Sequence, residues 1–224
     1  MDAFSRVSSA FIPNSVKGSR LFQIARLVRH MIASHDNIYD KRYYDMIVEA
    51  DSARSADVMA ASIVDRFQPK TVIDVGCGTG ALLQAFRMLH CEVHGLEYSE
   101  AGLTYCRNRR LSVMKFNIEK DNLNNKSYDL TTSFEVAEHL PPWVANRYVD
   151  LLCKLSPLVV MSAATPGQAG TDHVNEQPHS YWINKFEKNQ YYFQEIASQQ
   201  LSQHWKSSNV VPCYYENVMV FLRR

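Results

Sequence analysis

The sequence predicts an α/β fold, in which a mostly parallel β-sheet carries helices on both faces. The first observation is the apolar run Thr71–Val75, broken by one acid, which is typical of a buried parallel strand. Alternating glycines follow this run directly, and a helical pattern follows the glycines. Further short apolar runs at 91–96, 128–134 and 158–163 alternate with helical patterns. This order predicts repeated strand–helix units and therefore a parallel sheet.

The composition is that of a globular protein long enough for one well-buried domain. The 224 residues are 46% hydrophobic and 21% charged, and the net charge of +1 draws the chain to neither nucleic acid nor membrane. The five cysteines are odd in number and form no C-x-x-C pair, which favours a reduced, cytoplasmic setting over disulfides or zinc. No apolar run approaches the length of a membrane span.

The N-terminal segment is basic and helical in pattern. Residues 1–35 carry five lysines and arginines against one acid, a composition that overlaps with organellar transit peptides. Apolar residues between 21 and 32 nevertheless recur at helical spacing. We expect a helical extension over residues 1–50, acting as a lid or as a homodimer contact, before a domain over residues 51–224. A targeting role is the alternative.

The glycines after the first strand follow the pattern Gly76-x-Gly78-x-Gly80, which differs from the G-x-G-x-x-G spacing of dinucleotide sites. With Asp74 two residues before the first glycine, the stretch resembles the S-adenosylmethionine motif of class I methyltransferases. The resemblance implies that the turn, including Cys77, passes under a cofactor without phosphate. It also implies that Asp74 holds the amino acid end of that cofactor, often through water. A purely structural turn is the alternative.

The segments around this turn extend the pattern. Positions from 51 to 67 form a helical stripe that Pro69 ends, and Thr79 is predicted to cap the helix over 81–86. Residues 37–45 are dense in tyrosines. In the family such a segment folds over the cofactor, and Tyr43 would reach the cofactor's carboxylate. The alternative is that these tyrosines only pack the lid.

Glu97 lies at the end of the predicted second strand, about twenty residues after the glycine turn. A carboxylate at this place can accept hydrogen bonds from both ribose hydroxyls. Tyr98 would then lie near the adenine, and Ser99 caps the next helix. After a third strand near 113–116, the family places a polar residue on the adenine amino group and an apolar one on the ring, a pattern that Asn117 and Ile118 match loosely.

The fourth strand, 128–134, leads into the string Glu135-Val136-Ala137-Glu138-His139 at the edge where ligands bind in such sheets. A histidine titrates near physiological pH, so His139 is suited to take a proton from an attacking nucleophile. The string resembles ubiquinone-pathway O-methyltransferases and small-RNA 2′-O-methyltransferases. Phe134 and Glu135 join the expected cofactor contacts. The alternative is that Glu138 and His139 only brace the loop.

The polar connection 164–178 is too rich in turn formers for regular structure and carries His173, Asn175 and Gln177. On the next helix, Tyr181 and Trp182 wall a pocket or anchor the helix.

Late strands are predicted at 191–193 and 216–222. From residue 37 to the end, the chain resembles bacterial class I methyltransferases, often encountered near polysaccharide or secondary-metabolite genes. That implies a Rossmann-like, seven-stranded, mostly parallel sheet with one antiparallel C-terminal strand.

Three functions follow from these patterns. The first is methyl transfer from S-adenosylmethionine to an oxygen, with nitrogen as second choice, of a small molecule or glycan, leaving S-adenosylhomocysteine. His139 or His173 would be the base, beside Glu138, without a metal. The second adds a divalent ion held by Glu135, Glu138, His139 and His173. An RNA substrate is disfavoured because no broad basic surface is expected outside the N-terminus, so a diol would be the acceptor. The third is cyclisation or cleavage of S-adenosylmethionine itself.

Overall fold

The computed structural model describes residues 25–28, 38–123, 127–168 and 170–224. Seven strands in these ranges form one sheet in the order β3-β2-β1-β4-β5-β7-β6. The strands are β1 (Thr71–Val75), β2 (Glu92–Glu97), β3 (Val113–Lys115), β4 (Leu130–Phe134), β5 (Leu158–Ser162), β6 (Tyr191–Phe193) and β7 (Met219–Arg223). Strand β7 runs antiparallel to β5 and β6, while the pairs among β1 to β5 are parallel. The predicted sheet is confirmed.

Helices connect the strands. They are α1 (Glu49–Phe67), α2 (Ala81–Met88), α3 (Glu100–Asn108), α4 (Ala145–Leu155), α5 (His179–Lys188), α6 (Glu195–Ser207) and α7 (Pro212–Asn217). A short helical turn and the π-helical turn Tyr44–Val48 run directly into α1, and two 3₁₀ turns, Ala137–His139 and Pro142–Val144, precede α4. None of the helices in the described ranges has the length and apolar character needed to cross a membrane.

The N-terminal helix expected at residues 21–32 falls mostly outside the described residues, of which 25–28 are helical. Its role as a lid or dimer contact therefore stays a prediction. The helical run into α1 passes residue 50 without a loop, so the division of the chain at that point also stays a prediction.

Alternate residues of the central strands point to opposite faces of the sheet and build two separate cores. Val72 of β1 and Val160 of β5 pack with α1, α2 and α6. Their neighbours Ile73 and Val159 pack on the other face with α4 and α5. Because both faces are covered by apolar helix surfaces, strands β1 and β5 are almost wholly buried, as their mainly apolar sequences predict, and β4 is buried despite its polar residues 131–133.

The strand order places a crevice at one edge of the sheet. Strand β1 lies between β2 and β4, so the connections that leave β1 and β4 pass to opposite sides. Ligands of such sheets bind at this switch point, beyond the carboxyl ends of the strands. The glycine turn, Glu97 and the Glu135–His139 string all follow strands that end there.

The glycine turn runs one residue further than predicted. Gly76, Gly78 and Gly80 all have positive φ angles, from 56° to 76°, which glycine adopts without the steric cost of a Cβ. Helix α2 therefore takes Gly80, not Thr79, as its N-cap, and no side chain caps it. The predicted Thr79 cap is wrong, because the left-handed Gly80 turns the chain before the helix begins. The Thr79 hydroxyl is buried and has no hydrogen-bond partner among the described residues.

Two features of the C-terminal half refine the prediction. The described residues of the connection 164–178 contain no helix or strand, as expected. Strands β6 and β7 pair antiparallel, but helices α6 and α7 separate them, so they do not form a tight hairpin. Strand β7 begins at Met219 rather than near residue 216, because α7 continues to Asn217.

A glycine pair tests how closely α2 and its turn are packed. Alanine at Gly80 would keep a φ of +76° and bring its Cβ to 2.5 Å from Leu111 Cδ1. We expect Gly80→Ala to lower the free energy of unfolding by roughly 2–4 kcal/mol in urea titrations, since strain and overpacking add. Gly167→Ala is the control, because Gly167 has a φ of +92° but no atom within 4 Å of an added Cβ. Equal losses in both variants would contradict the packing argument.

Candidate active site

A cavity of about 850 Å³ lies at this edge of the sheet. Its walls come from the glycine turn, the ends of β2 and β4, the segments after β3 and β4, the connection after β5 and residues 38–48. The volume lies in the upper part of the range usual for small-molecule sites. It leaves room for a cofactor together with a small acceptor.

The glycine turn contributes backbone to this cavity. Gly76 and Gly78 line it, as predicted. Cys77 and Gly80 do not line it. The Cys77 side chain is buried against Cys106, with 3.9 Å between the two sulfur atoms. Cys77 and Gly80 therefore contribute to the shape of the turn, and a cofactor contact by either stays a prediction.

Glu97 is the most fully bonded carboxylate of the site. One oxygen accepts the Gly78 N–H at 2.8 Å, and the other accepts the Tyr98 and Ser99 N–H groups at 2.7 Å each. The Tyr44 hydroxyl donates to the second oxygen at 3.5 Å. Burial raises the pKa of Glu97, although these hydrogen bonds act in the opposite direction. The carboxylate is therefore rigidly placed in the cavity wall.

The side of the cavity beyond β3 matches the predicted adenine region. Asn117 and Ile118 both line it, together with the partly exposed Tyr98. The Asn117 side-chain oxygen accepts the Glu119 N–H at 2.8 Å, which orients the amide. Arg147 donates to the Ile118 carbonyl at 2.8 Å and anchors the same segment. These contacts hold a polar and an apolar side chain next to each other at the cavity wall.

Asp74 lies beneath the turn rather than in the main cavity. It lines a smaller adjoining pocket of about 70 Å³, together with Gly76, Gly78 and Tyr214. Its carboxylate accepts a hydrogen bond of 2.8 Å from the Thr132 hydroxyl. Burial raises the pKa of Asp74 to about 7. A water or an amino group in the smaller pocket could therefore reach an acid that is half ionised near neutral pH.

Phe134 and Glu135 end β4 at the cavity. The Phe134 ring packs edge-on against Tyr214, with 5.9 Å between ring centroids. Glu135 has a φ of +53° and accepts hydrogen bonds of 2.8 Å from Ser162 and Gln168 on its two oxygens. Burial raises the pKa of Glu135. A non-glycine residue in the left-handed region is uncommon and is often found at functional sites.

Glu138 is the least satisfied polar group of the site. It is fully buried and lines the cavity, and its carboxylate oxygens have no hydrogen-bond partner among the described residues. Burial, followed by the charge of Glu135, raises the pKa of Glu138 well above its usual range. The Glu138 backbone carbonyl accepts the Val174 and Asn175 N–H groups at 2.9 and 3.0 Å. These two bonds hold the connection after β5 against the site.

His139 and His173 lie side by side in the cavity wall. Their rings are 4.9 Å apart and nearly perpendicular. Nδ1 of His139 is 3.0 Å from the Tyr39 hydroxyl, and Nδ1 of His173 is 3.0 Å from a Glu176 oxygen. One ligand atom from each of Glu138, His139 and His173 can be chosen so that all three lie within 4.8 Å of one another. The structure thus brings together the three residues predicted to be catalytic.

The tyrosine-rich segment covers this group. Tyr39, Tyr43 and Tyr44 all line the cavity, and their rings meet edge-to-face at 5.2 and 5.6 Å. Burial raises the pKa of Tyr43 and of Tyr44, so their hydroxyls stay protonated. The tyrosines thus pack on one another and also face the cavity, and a contact between Tyr43 and the cofactor's carboxylate stays a prediction.

Several predicted candidates lie elsewhere. Asn175 and Gln177 do not line the cavity, and Gln177 donates to the Asn175 side-chain oxygen at 3.0 Å. Trp182 is fully buried and packs against Tyr181 at 4.9 Å, so this pair anchors α5 rather than walling a pocket.

Sequence reasoning did not single out four residues that shape the site, namely Tyr39, Gln168, Glu176 and Tyr214. For Glu176 a signal was available, because it follows His173 by three residues in a connection already considered functional. Tyr39 and Gln168 also lie in segments considered functional, but no pattern within these segments distinguishes them, and Tyr214 reaches the site only through packing of a distant helix.

Comparisons with known proteins agree with this geometry. Residues 73–154 match a family model described as a methyltransferase domain. The chain is 28% identical over 107 residues to a probable S-adenosylmethionine-dependent methyltransferase of Mycobacterium tuberculosis, covering 47% of this chain and 38% of that protein. It is 32% identical over 79 residues to the ubiquinone biosynthesis O-methyltransferase of Photobacterium profundum, covering 32% of this chain and 34% of that protein. The chain therefore spans little more than a third of the curated relatives it matches.

The fold has relatives over its full length. The magnesium protoporphyrin IX methyltransferase of Synechocystis, crystallised with S-adenosylmethionine, superposes over 98% of this chain and 99% of its own with a TM-score of 0.58. At 17% identity this likeness concerns the fold alone. Residues 73–154 therefore resemble a methyltransferase domain, and the superposition adds that the chain as a whole has the fold of such an enzyme.

The raised pKa of Asp74 makes stability depend on pH. An unfolded aspartate has a pKa near 4, whereas the pKa of Asp74 in the folded chain is about 7. Between these two pH values the folded chain therefore binds one proton more than the unfolded chain. Stability therefore falls as the pH rises through this window. Asp74→Asn keeps an acceptor for Thr132 but carries no charge. We expect this variant to match the wild type at about pH 4 and to exceed it by up to roughly 4 kcal/mol at about pH 8.

Urea unfolding of both proteins at the two pH values, without cofactor, measures this difference. Because the two proteins share every other titrating group, the change in their stability difference between the two pH values reports the protonation of Asp74. A stability difference that is the same at both pH values would contradict the assignment.

Proposed function

We propose that the protein transfers a methyl group from S-adenosylmethionine to an oxygen atom, or as a second choice a nitrogen atom, of a small molecule or glycan. One observation carries the proposal. A single cavity has the glycine turn and Glu97 in one part of its wall and Glu138, His139 and His173 in another. The cofactor and the proton acceptor would thus share one cavity.

The cofactor is proposed to lie along the first part of this wall. Glu97 would accept from the ribose hydroxyls, and Asn117 and Ile118 would meet the adenine. Gly78 lines the cavity without a side chain, so the cofactor could approach its backbone closely. Asp74 would reach the amino acid end, directly or through a water in the smaller pocket.

Catalysis would then consist mainly of positioning. The cavity would hold the acceptor oxygen in line with the sulfonium methyl group, so that the two reacting atoms meet in a favourable geometry without a chance encounter in solution. The sulfonium loses its charge in the transition state, so the main chemical requirement is a base for the proton of the acceptor hydroxyl. His139 and His173 are the two histidines that line the cavity among the described residues, and an imidazole is the side chain most often used as a general base.

The acceptor class has indirect support. The Photobacterium relative is an O-methyltransferase, and it is 32% identical to this chain over 79 residues. The described cavity wall is rich in carboxylates, which disfavours phosphate-bearing acceptors such as nucleic acid. We therefore propose a neutral small molecule or glycan as acceptor. The N-terminal segment would serve as a lid or as a dimer contact.

Product analysis tests the reaction type. The protein is incubated with S-adenosylmethionine and a panel of hydroxylated small molecules and glycosides. S-adenosylhomocysteine together with a methylated acceptor is the expected outcome. Methylthioadenosine in its place would show that the cofactor itself is cyclised or cleaved, and would overturn the proposal.

The role of Glu97 is tested by calorimetric titration with S-adenosylhomocysteine. Glu97→Gln is expected to weaken binding by roughly 10-fold to 100-fold, because an amide cannot accept from both ribose hydroxyls and the three backbone N–H groups. Glu92→Gln, at the exposed start of the same strand, is the matched control and should bind normally. Wild-type affinity in Glu97→Gln would remove Glu97 from the cofactor site.

A metal-assisted reaction is the second candidate, and the arrangement around Glu138 favours it. A fully buried carboxylate without a hydrogen-bond partner is costly unless a cation pairs with it. Glu138, His139 and His173 would hold a divalent ion. Glu135, the fourth ligand predicted from the sequence, is not part of this group, although its charge acts on Glu138. When bound, such an ion would acidify and orient vicinal hydroxyl groups of the acceptor.

Metal titration separates the two candidates. If the second holds, Mn²⁺ should bind to the wild type in calorimetry, and Glu138→Gln should reduce its affinity at least 10-fold because a charged ligand is lost. Glu119→Gln, also at the cavity wall but outside the cluster, should bind Mn²⁺ as the wild type does. If the protein binds no Mn²⁺ and transfers methyl groups at the full rate in the presence of a chelator, the metal-assisted reaction is excluded and the metal-free reaction remains.

A further inference from the structure

We propose that Trp143 is a recognition residue for the acceptor, and that its indole, at the mouth of the cavity, packs against the face of a ring in that acceptor. The inference rests on the proposed methyl transfer and deepens it, because it names a structural feature of the acceptor. It draws on the exposure of Trp143, on the backbone that carries this residue and on the distribution of polar groups along the cavity wall.

Trp143 differs from the other two tryptophans of the protein in its exposure. It is 62% exposed, whereas Trp182 and Trp205 are fully buried, each in one of the two cores. An indole carries a large apolar surface, and leaving that surface in water forgoes the favourable free energy of burying it. Trp143 also lines the cavity. A residue that is both exposed and part of the wall lies at the mouth, where a bound molecule can cover it.

The backbone around Trp143 is fixed, so the indole is presented in a defined place. The 3₁₀ turn Pro142–Val144 carries it, and the Val144 N–H donates to the Pro141 carbonyl at 2.8 Å. On either side of Trp143, Leu140 and Val144 are buried in the core that α4 helps to form. The two consecutive prolines before Trp143 restrict the chain further, because a proline ring locks φ. An aromatic side chain rotates about only two bonds, so little conformational entropy is lost when a ligand covers it.

The cavity is acidic in its interior and apolar at its mouth. Glu97 and Glu138 line it and are buried, so their carboxylates belong to the interior. Among the described residues of the wall, the two most exposed large apolar side chains are those of Trp143 and Ile47. A molecule that extends from the interior to the mouth therefore meets polar groups at one end and apolar side chains at the other. We expect an acceptor whose hydroxyl group enters the interior and whose ring stays at the mouth.

A ring face is the structure that an exposed indole recognises best. Aromatic rings pack on it in offset or edge-on geometry, and a pyranose ring packs on it through the C–H groups of one face. The adenine of the cofactor is also flat, but its proposed place is against Asn117 and Ile118, after β3. Trp143 belongs to the stretch after β4 and follows His139, a proposed base, in the same part of the wall. The indole is therefore assigned to the acceptor.

Tryptophan fluorescence tests this contact without any methyl transfer. Because Trp182 and Trp205 are buried, the long-wavelength emission comes from Trp143, and Trp143→Phe supplies the baseline for each probe. The protein is saturated with S-adenosylhomocysteine and then titrated with catechol, with methyl β-D-glucopyranoside or with glycerol, a control that has vicinal hydroxyl groups but no ring. We expect a ring-bearing probe to shift the Trp143 emission to shorter wavelength or to quench it, and glycerol to leave it unchanged.

The two ring-bearing probes distinguish the sources of the ring. A response to catechol indicates an aromatic acceptor, and a response to the glucoside indicates a glycan. The proposal is overturned if neither probe changes the Trp143 emission more than glycerol does, up to the solubility limit of each probe. It is also overturned if S-adenosylhomocysteine alone produces the whole change, because Trp143 then covers the cofactor.

Kinetics with an acceptor from the product analysis provide the second measurement. Trp143→Ala should raise the KM for the acceptor by roughly 10-fold, because ring packing is lost, with unchanged kcat and unchanged affinity for S-adenosylhomocysteine. Trp143→Phe should keep most of the wild-type affinity, since it retains an aromatic face. Ile196→Ala is the matched control and should behave as the wild type, because Ile196 is 70% exposed on α6 but does not line the cavity.

The results separate this inference from the proposed function. If methyl transfer is observed and Trp143→Ala has the KM of the wild type, the role of Trp143 falls and the proposed reaction stands. If a ring-bearing probe changes the Trp143 emission but no acceptor is methylated, the recognition role stands and the proposed reaction falls.

Discussion

The buried carboxylate of Glu97 is the interaction on which the rest of the site depends. It accepts backbone N–H groups from Gly78 in the glycine turn and from Tyr98 and Ser99 between β2 and α3, and it faces the Tyr44 hydroxyl of the overlying segment. One side chain therefore joins parts of the chain that are far apart in sequence. Without it, three amides at the sheet edge would lose their acceptor, and each buried unpaired amide costs about 1–3 kcal/mol.

The same edge concentrates negative charge. Among the described residues that line the cavity there are five carboxylates and one lysine, namely Asp51, Glu97, Glu119, Glu135, Glu138 and Lys120. Burial raises the pKa of Glu97, Glu135 and Glu138, because it destabilises the ionised form of each carboxyl group relative to the protonated form. A cation in the cavity would offset that cost, and a phosphate would add to it. A sulfonium cofactor fits this field, in keeping with a glycine turn that lacks the dinucleotide spacing.

The comparisons cover the two sides of the cavity unequally. The family match at 73–154 contains β1, β2 and β4, which supply the proposed cofactor contacts. Tyr39 and Tyr43 precede the matched segment, and Gln168 and His173 follow it, yet all four line the cavity. The family match therefore covers the proposed cofactor contacts together with Glu138 and His139, but not His173 or the tyrosines over the cavity. The fold is shared over nearly the whole chain, yet fold and family alone do not name the substrate.

The sequence by itself determined the sheet, the glycine turn and the place of Glu97, because these depend on apolar periodicity, glycine conformation and strand order. His139 and His173 were also recognisable, since their residue types carry the chemistry. Only the tertiary structure decided what each ring faces. Tyr39 reaches His139 across a hundred positions of sequence, and the Glu138 carboxylate is buried without a partner among the described residues. Such contacts arise where separate segments pack together, and no local pattern encodes which polar atoms then meet.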